Sequence, residues 1–247
     1  MTFPRAALLL LPALLVLAAP SLRAESRPTP YPAAENEAAW PGHGPIRLFK
    51  WMPENRARFW LDRGKDQRAI VFTGDSLTAN WKDLADHFPG LKVASRGIGG
   101  DTSRGLLFRF KEDVLDLRPR AIVLCIGTND LSAHAAPADV EGNIATLIAL
   151  ARAQDPHVPI VLATVPPRDN PQYPTQPGAH DDVNIRITNL AARYERIVVL
   201  DLYKGLATAD GKPVPEYFGQ DRIHVGARGY RRWTELLRPI FEQLDLR

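Results

Sequence analysis

The chain has one cysteine, Cys125, in 247 residues, which excludes an internal disulfide. Cys125 stands inside the apolar run AIVLCIG and reads as a small buried hydrophobe. No C-x-x-C and no H-E-x-x-H occurs, so nothing in the sequence points to a structural zinc, and no metal or organic cofactor is expected. No block of Lys and Arg is long enough to suggest a nucleic-acid partner. The cluster GYRRW (229–233) reads as the exposed face of a helix. Internal repeats and low-complexity arrays are absent as well. The apolar stretch from 6 to 20 is interrupted by Pro12 and falls short of the roughly 20 residues that cross a bilayer.

That stretch has another reading. MTFPRAALLLLPALLVLAAPSLRAES has one early charge at Arg5, an apolar centre and a small residue at Ala24. This is the pattern of a secretory signal peptide over 1–24, although Leu22 stands where a small residue is usual. The other readings are an uncleaved anchor or a buried helix. Export predicts a secreted or periplasmic protein with no stable membrane insertion after cleavage. The formal net charge is +3; without Arg5 and Arg23 the 31 basic residues become 29 against 28 acidic ones, a net +1. The mild basicity therefore says little about partners.

Residues 25–54 are rich in proline, with Pro28, Pro30, Pro32, Pro41, Pro45 and Pro53. They read as a leader or wrapping segment without much regular structure. Trp40, Phe49 and Trp51 predict that its second half packs on the domain, which is expected over 55–247. A short helix is predicted over 55–65, ending near Gly64. The composition, 45% hydrophobic and 24% charged, suffices for a core without staples.

From there a rhythm sets in. Five apolar, β-branched runs lie at 69–74, 92–98, 121–127, 159–165 and 197–202, separated by stretches of helical spacing such as Val140, Ile144, Leu147, Ile148 and Ala151. Alternating strands and helices give an α/β fold: a five-stranded parallel sheet with helices on both faces, a three-layer α/β/α sandwich. Continuous rather than alternating apolar strands fit a sheet covered on both sides. A last helix is expected over roughly 227–244. In open parallel sheets ligands bind beyond the carboxyl ends of the strands, so the loops there are where chemistry is to be sought.

Those loops carry polar and glycine residues. The first run ends in Gly74-Asp75-Ser76-Leu77, the second in Gly97-Ile98-Gly99-Gly100-Asp101-Thr102, the third in Gly127-Thr128-Asn129-Asp130, and beyond the fifth lies Asp221-Arg222-Ile223-His224. A serine hydroxyl needs a base within hydrogen-bond reach, and that base needs an orienting partner. His224 can be the base for Ser76, and Asp221, three residues earlier, can hold its tautomer. The Ser76 and Gly100 backbone N–H groups and the Asn129 amide can each supply one donor to an oxyanion. A helix beginning behind Ser76 favours negative charge there.

These four blocks resemble the SGNH, or GDSL-type, esterase/lipase superfamily: GDSL at 74–77, GGDT at 99–102, GTND at 127–130 and DRIH at 221–224, in that family's order. The resemblance covers about residues 66–245. It implies Ser76 as nucleophile, His224 as general base and then acid, Asp221 as its orienting carboxylate, an oxyanion hole of Ser76, Gly100 and Asn129, and a flavodoxin-like strand order 2-1-3-4-5. The wording SRGIGGDTSRG and IGTND is most similar to the branch of platelet-activating-factor-type acetylhydrolases and carbohydrate esterases; Ser95 stands where that branch often has Asn. The expected activity is hydrolysis of short, chiefly acetyl, esters on a small molecule or glycan. The alternatives are a lysophospholipase or thioesterase for longer chains and a non-catalytic glycan-binding module. A nucleotide-binding flavodoxin-like protein is disfavoured, since GIGGDT lacks the phosphate-loop Lys and the dinucleotide spacing.

Each residue also has a plainer reading. Ser76 could merely cap a helix, Asp221, Asn129 and Gly100 could be turn residues, and Asp75, Asp101 and Asp130 are expected to support local backbone. Gly99 and Gly127 are expected at backbone conformations other residues resist. Arg96 and Arg104 are expected in solvated or structural roles rather than on an anionic substrate. Trp81, and Tyr173 in the long loop at 166–182, are the candidates for substrate binding, against simple packing and loop rigidity.

Overall fold

Why the strands form follows from their side chains: β-branched residues on both faces suit a pleated sheet with no wet side. In the computed structural model, which describes residues 27–246, the runs form β1 (Ile70–Gly74), β2 (Val93–Gly97), β3 (Ala121–Cys125), β4 (Ile160–Ala163) and β5 (Ile197–Leu200). All pair in parallel, in the order β2-β1-β3-β4-β5. The signal-peptide reading falls on residues outside those described.

Side chains alternate between the two faces along each strand. Val71, Ile122, Leu124, Ile160 and Leu162 enter one core with α4 (Ser103–Asp113), α6 (Pro137–Gln154) and α7 (Ala179–Ala191). Ile70, Phe72, Val123, Cys125, Val161 and Ala163 enter the other. That second core is closed by the short helices α2 (Ser76–Ala79), α3 (Leu84–His87) and α8 (Leu202–Leu206) and by the long α9 (Ala227–Gln243). One further short helix, α5 (Thr128–Ser132), follows β3 at the rim. GYRRW corrects one expectation: Tyr230 and Trp233 are buried in the α9 core face, and within the cluster only Arg231 is exposed.

Helix α1 runs Trp51–Asp62, beginning four residues earlier than the sequence suggests. Residues 27–50 hold one short 3-10 turn and otherwise wrap the domain. Two buried side chains fix that path. Arg104 of α4 donates to the carbonyls of Glu37, Trp40, Pro41 and Gly44 and pairs with the Glu37 carboxylate. Asn143 of α6 exchanges hydrogen bonds with both backbone groups of His43, at 2.8 and 3.1 Å. Thr102 adds a bond to the Pro45 carbonyl. The segment is thereby laid across the carboxyl ends of the strands, where residues 46–50 reach the rim.

Arg96 is likewise structural, buried and paired with Asp66 at 2.7 Å. Among the described residues no helix is long and apolar enough to cross a membrane.

Candidate active site

Gly74 ends β1 at φ +149°, and a Cβ there would lie 1.8 Å from the Cys125 carbonyl oxygen of the neighbouring strand. Only glycine lets the chain turn so tightly against β3. The next residue, Asp75, is the N-cap of α2: its Oδ1 accepts the Leu77 N–H at 2.9 Å. Capping is therefore done by Asp75, and the Ser76 hydroxyl is left for other work.

That hydroxyl meets His224. Ser76 Oγ and His224 Nε2 are 2.9 Å apart, and His224 Nδ1 lies 2.5 Å from Asp221 Oδ2. An ionised carboxylate only accepts, so Nδ1 carries the proton and Nε2 presents its lone pair to the serine. Asp221 is itself held, its Oδ1 accepting the backbone N–H groups of Ile223 and His224, both at 3.0 Å. Partial burial pushes this carboxyl up, but those three donors outweigh it and leave Asp221 below the usual carboxylate range. The side chains of Asp221 and His224 stay about two-fifths exposed, so the site opens to solvent.

The other strand-end residues gather around the serine. Gly100 sits at φ +85°, and a Cβ on it would strike the Phe49 ring at 2.6 Å. Gly99, whose φ is not positive, needs no such freedom; in this block it is Gly100 that does, while Gly127 does so at φ +128°. A Cβ on Gly99 would lie 3.8 Å from both Ser76 Cβ and Trp51 Nε1, so the Trp51 indole and Ser76 flank the same glycine. Asn129, in α5, donates through Nδ2 to the Asp101 carbonyl at 2.9 Å. Its Oδ1 accepts from Arg47 Nη1 at 3.1 Å.

Of the remaining aspartates Asp130 supports backbone directly, while Asp101 does so only through Arg109. Asp130 accepts the Ser103 N–H and hydroxyl, and Asp101 pairs with the fully buried Arg109 at 2.7 Å. Arg109 also donates to the Gly74 and Arg96 carbonyls, which ties the ends of β1 and β2 together. Burial pushes Asp75 up to about 7 and Asp101 up to about 6. Among the described residues no group of three or more His, Cys, Asp and Glu side chains could hold a metal.

The loop after β4 does reach the rim. Arg168 donates to Thr128 and Ser132 at the α5 turn and to the Tyr173 carbonyl, all at 2.6 Å. Asn170 donates to the Asp221 carbonyl at 2.9 Å, and Asp169 pairs with Arg222. The loop thus braces the turn that carries Asp221 and His224, and Tyr173 stands half exposed on it.

Trp81 is not at the rim. After α2 the chain turns inward, and the indole, 2% exposed, stacks on Tyr230 at 4.8 Å and meets Phe72 edge-on at 5.7 Å. It packs as a core residue, away from Ser76 and His224. The aromatic at the mouth is Trp51, 40% exposed, stacked on Phe49 at 4.6 Å. The residues missed from sequence are thus Arg47, Phe49 and Trp51. Their only sequence signal was the aromatic pair at the end of the proline-rich segment.

Residues 72–232 match the model of the GDSL-like lipase/acylhydrolase family. Platelet-activating factor acetylhydrolase IB subunit alpha2 from Rattus norvegicus is 28% identical over 202 residues, 79% of this chain and 85% of that protein. Esterase TesA from Pseudomonas aeruginosa is 30% identical over 119 residues, 43% of this chain and 59% of its own. The crystal structure of a GDSL-like lipase from Bacteroides thetaiotaomicron superposes with a TM-score of 0.67 at 27% identity, covering 75% of this chain and 96% of that one. With these likenesses, a parallel sheet in the order 2-1-3-4-5 and a serine, glycine, asparagine and histidine converging at its rim, the chain belongs to the GDSL-like lipase/acylhydrolase family, the SGNH superfamily, and is a carboxylic ester hydrolase acting on small-molecule esters.

Proposed function

We propose that the protein is an exported serine esterase that removes short acyl groups, acetyl foremost, from carbohydrate esters through Ser76, His224 and Asp221. The observation that carries the catalytic part is the unbroken relay from Ser76 Oγ through both ring nitrogens of His224 to Asp221, at 2.9 and 2.5 Å. Ser76 Oγ attacks the ester carbonyl while its proton passes to Nε2. The carbonyl π pair moves onto oxygen, where the N–H groups of Ser76, Gly100 and Asn129 receive the charge. Collapse breaks the bond to the leaving oxygen, which takes the proton from Nε2. Water, deprotonated by the same nitrogen, then cleaves the acyl-enzyme and restores Ser76.

The preference for short acyl groups draws support from the walls. Phe49 covers Gly100, and Trp51 shares Gly99 with the nucleophile, so bulky rings stand close to the reacting atoms. The name of the rat relative, an acetylhydrolase, points the same way. The carbohydrate reading rests on the half-exposed Trp51 and Tyr173, flat faces suited to a sugar ring. Export rests on the signal-like pattern of residues 1–24.

Hydrolysis of p-nitrophenyl esters from acetate to octanoate, by wild type and Ser76→Ala, tests the core of this reading. We expect acetate to be cleaved best and the variant to lose about 10⁴-fold or more in kcat. A maximum at octanoate would favour the lysophospholipase or thioesterase alternative, and an unimpaired variant would remove Ser76 from its role. Acetylated oligosaccharides then test the leaving group. For export, a mature N-terminus near residue 25 on secreted protein is the expected outcome.

A further inference from the structure

The proline-rich segment does more than wrap the domain. Its residue Arg47 reaches 82 positions along the chain to Asn129. We propose that Arg47 is a positioning residue of the oxyanion hole: its guanidinium fixes and polarises the Asn129 carboxamide so that an amide N–H, and not the amide oxygen, meets the developing charge. The proposal rests on the reading of Asn129 as an oxyanion donor.

Three observations support it. Asn129 has two amide N–H groups and one oxygen. One N–H is spent on the Asp101 carbonyl at 2.9 Å and the oxygen on Arg47 at 3.1 Å, which leaves a single N–H for a substrate. A charged donor on an amide oxygen also draws electron density from the nitrogen, so the free N–H becomes a stronger donor. Finally, Arg47 is itself held in place. Its guanidinium carbon lies 5.2 Å from the centre of the Phe49 ring, Phe49 stacks within 4° of parallel on Trp51, and Trp51 Nε1 donates to the Gly99 carbonyl at 2.8 Å. The stack from Arg47 to Trp51 is therefore anchored to the loop that carries Gly100, and the Arg47 side chain cannot drift without disturbing it.

Four variants decide the matter: Arg47→Met, which keeps the stem on Phe49 and loses the donors, Arg47→Lys, Asn129→Ala and the double variant Arg47→Met/Asn129→Ala. Each is assayed for kcat and KM on the p-nitrophenyl ester the wild type cleaves best, with Tm as a check on folding. We expect Asn129→Ala to lose about 10²-fold or more in kcat. Arg47→Met should lose about 10-fold, the scale of one charge-assisted hydrogen bond, with KM and Tm near wild type. Arg47→Lys should recover part of that loss. In the Asn129→Ala background Arg47→Met should add less than about 2-fold, because Arg47 acts through the amide. A full Arg47→Met loss in that background, an effect on KM alone or no effect on kcat would overturn the proposal while leaving the oxyanion reading intact. Wild-type kcat in Asn129→Ala would instead remove the oxyanion reading, and the proposal with it.

Discussion

Two aspartates near the serine respond to pH in opposite directions. Asp75 is wholly buried, with one oxygen on the Leu77 N–H and the other, Oδ2, without a protein partner. Burial dominates and, with the charges of Asp130 and Asp101 added, lifts its carboxyl from 3.8 to about 7 against the pull of that N–H. Between those values the folded chain keeps a proton that the unfolded chain releases. Stability contributed through Asp75 therefore falls as pH rises from about 4 to about 7 and is level beyond. Asp221 lies below its ordinary range, so its contribution is present above its unfolded value and is lost only as pH falls through the lower, folded one. Asp75→Asn removes the first effect. The Tm of that variant is expected to vary less than wild type between pH 5 and pH 7, by calorimetry in matched buffers; an unchanged slope would place the titration on another group.

At the scale of elements, the segment 27–50 is held largely by side chains on its backbone, and the guanidinium of Arg104 covers more of its carbonyls than Asn143 or Thr102 does. Arg104→Leu leaves the carbonyls of Glu37, Trp40, Pro41 and Gly44 without their donor, with a cost of about 2 kcal/mol or more and a freed strap. The expected readout is protease cleavage within 33–50 at a protease dose that leaves wild type whole, together with a fall in kcat as Arg47 loses its seat. Equal resistance of both proteins would mean the bonds of Asn143 and Thr102 and the aromatic contacts of Tyr31 and Trp40 with Phe108 suffice without Arg104. This element was also the least legible in the sequence. The five strands could be read because each is a continuous apolar run with a glycine or polar stop, Ser76 because it follows the end of β1 directly, and Asp221 and His224 because they stand three residues apart in a block that resembles a family motif. The path of the strap is set by side chain to backbone bonds, which leave no periodic trace. Trp81 was misplaced for a related reason: its sequence position follows the serine closely, but the demand of Phe72, Tyr230 and Trp233 for a partner draws it inward.

Across the whole molecule, Arg109 joins regions that no single element connects. It is fully buried, pairs with Asp101 and Asp113, and donates to the ends of β1 and β2. Arg109→Met leaves two carboxylates buried without their shared cation, and a loss of about 3–5 kcal/mol is expected in urea unfolding. A loss under about 1 kcal/mol would show that Arg56 alone compensates Asp113. The wide spacing of the site along the chain has a further consequence. Ser76 and His224 are separated by 148 positions, and Arg47 and Asn129 by 82. Such closures come late, since distant segments must find each other against chain entropy. A partly synthesised copy that lacks the last loop therefore has Ser76 without His224, and under the proposed mechanism it is an ester-binding surface with no base for its serine.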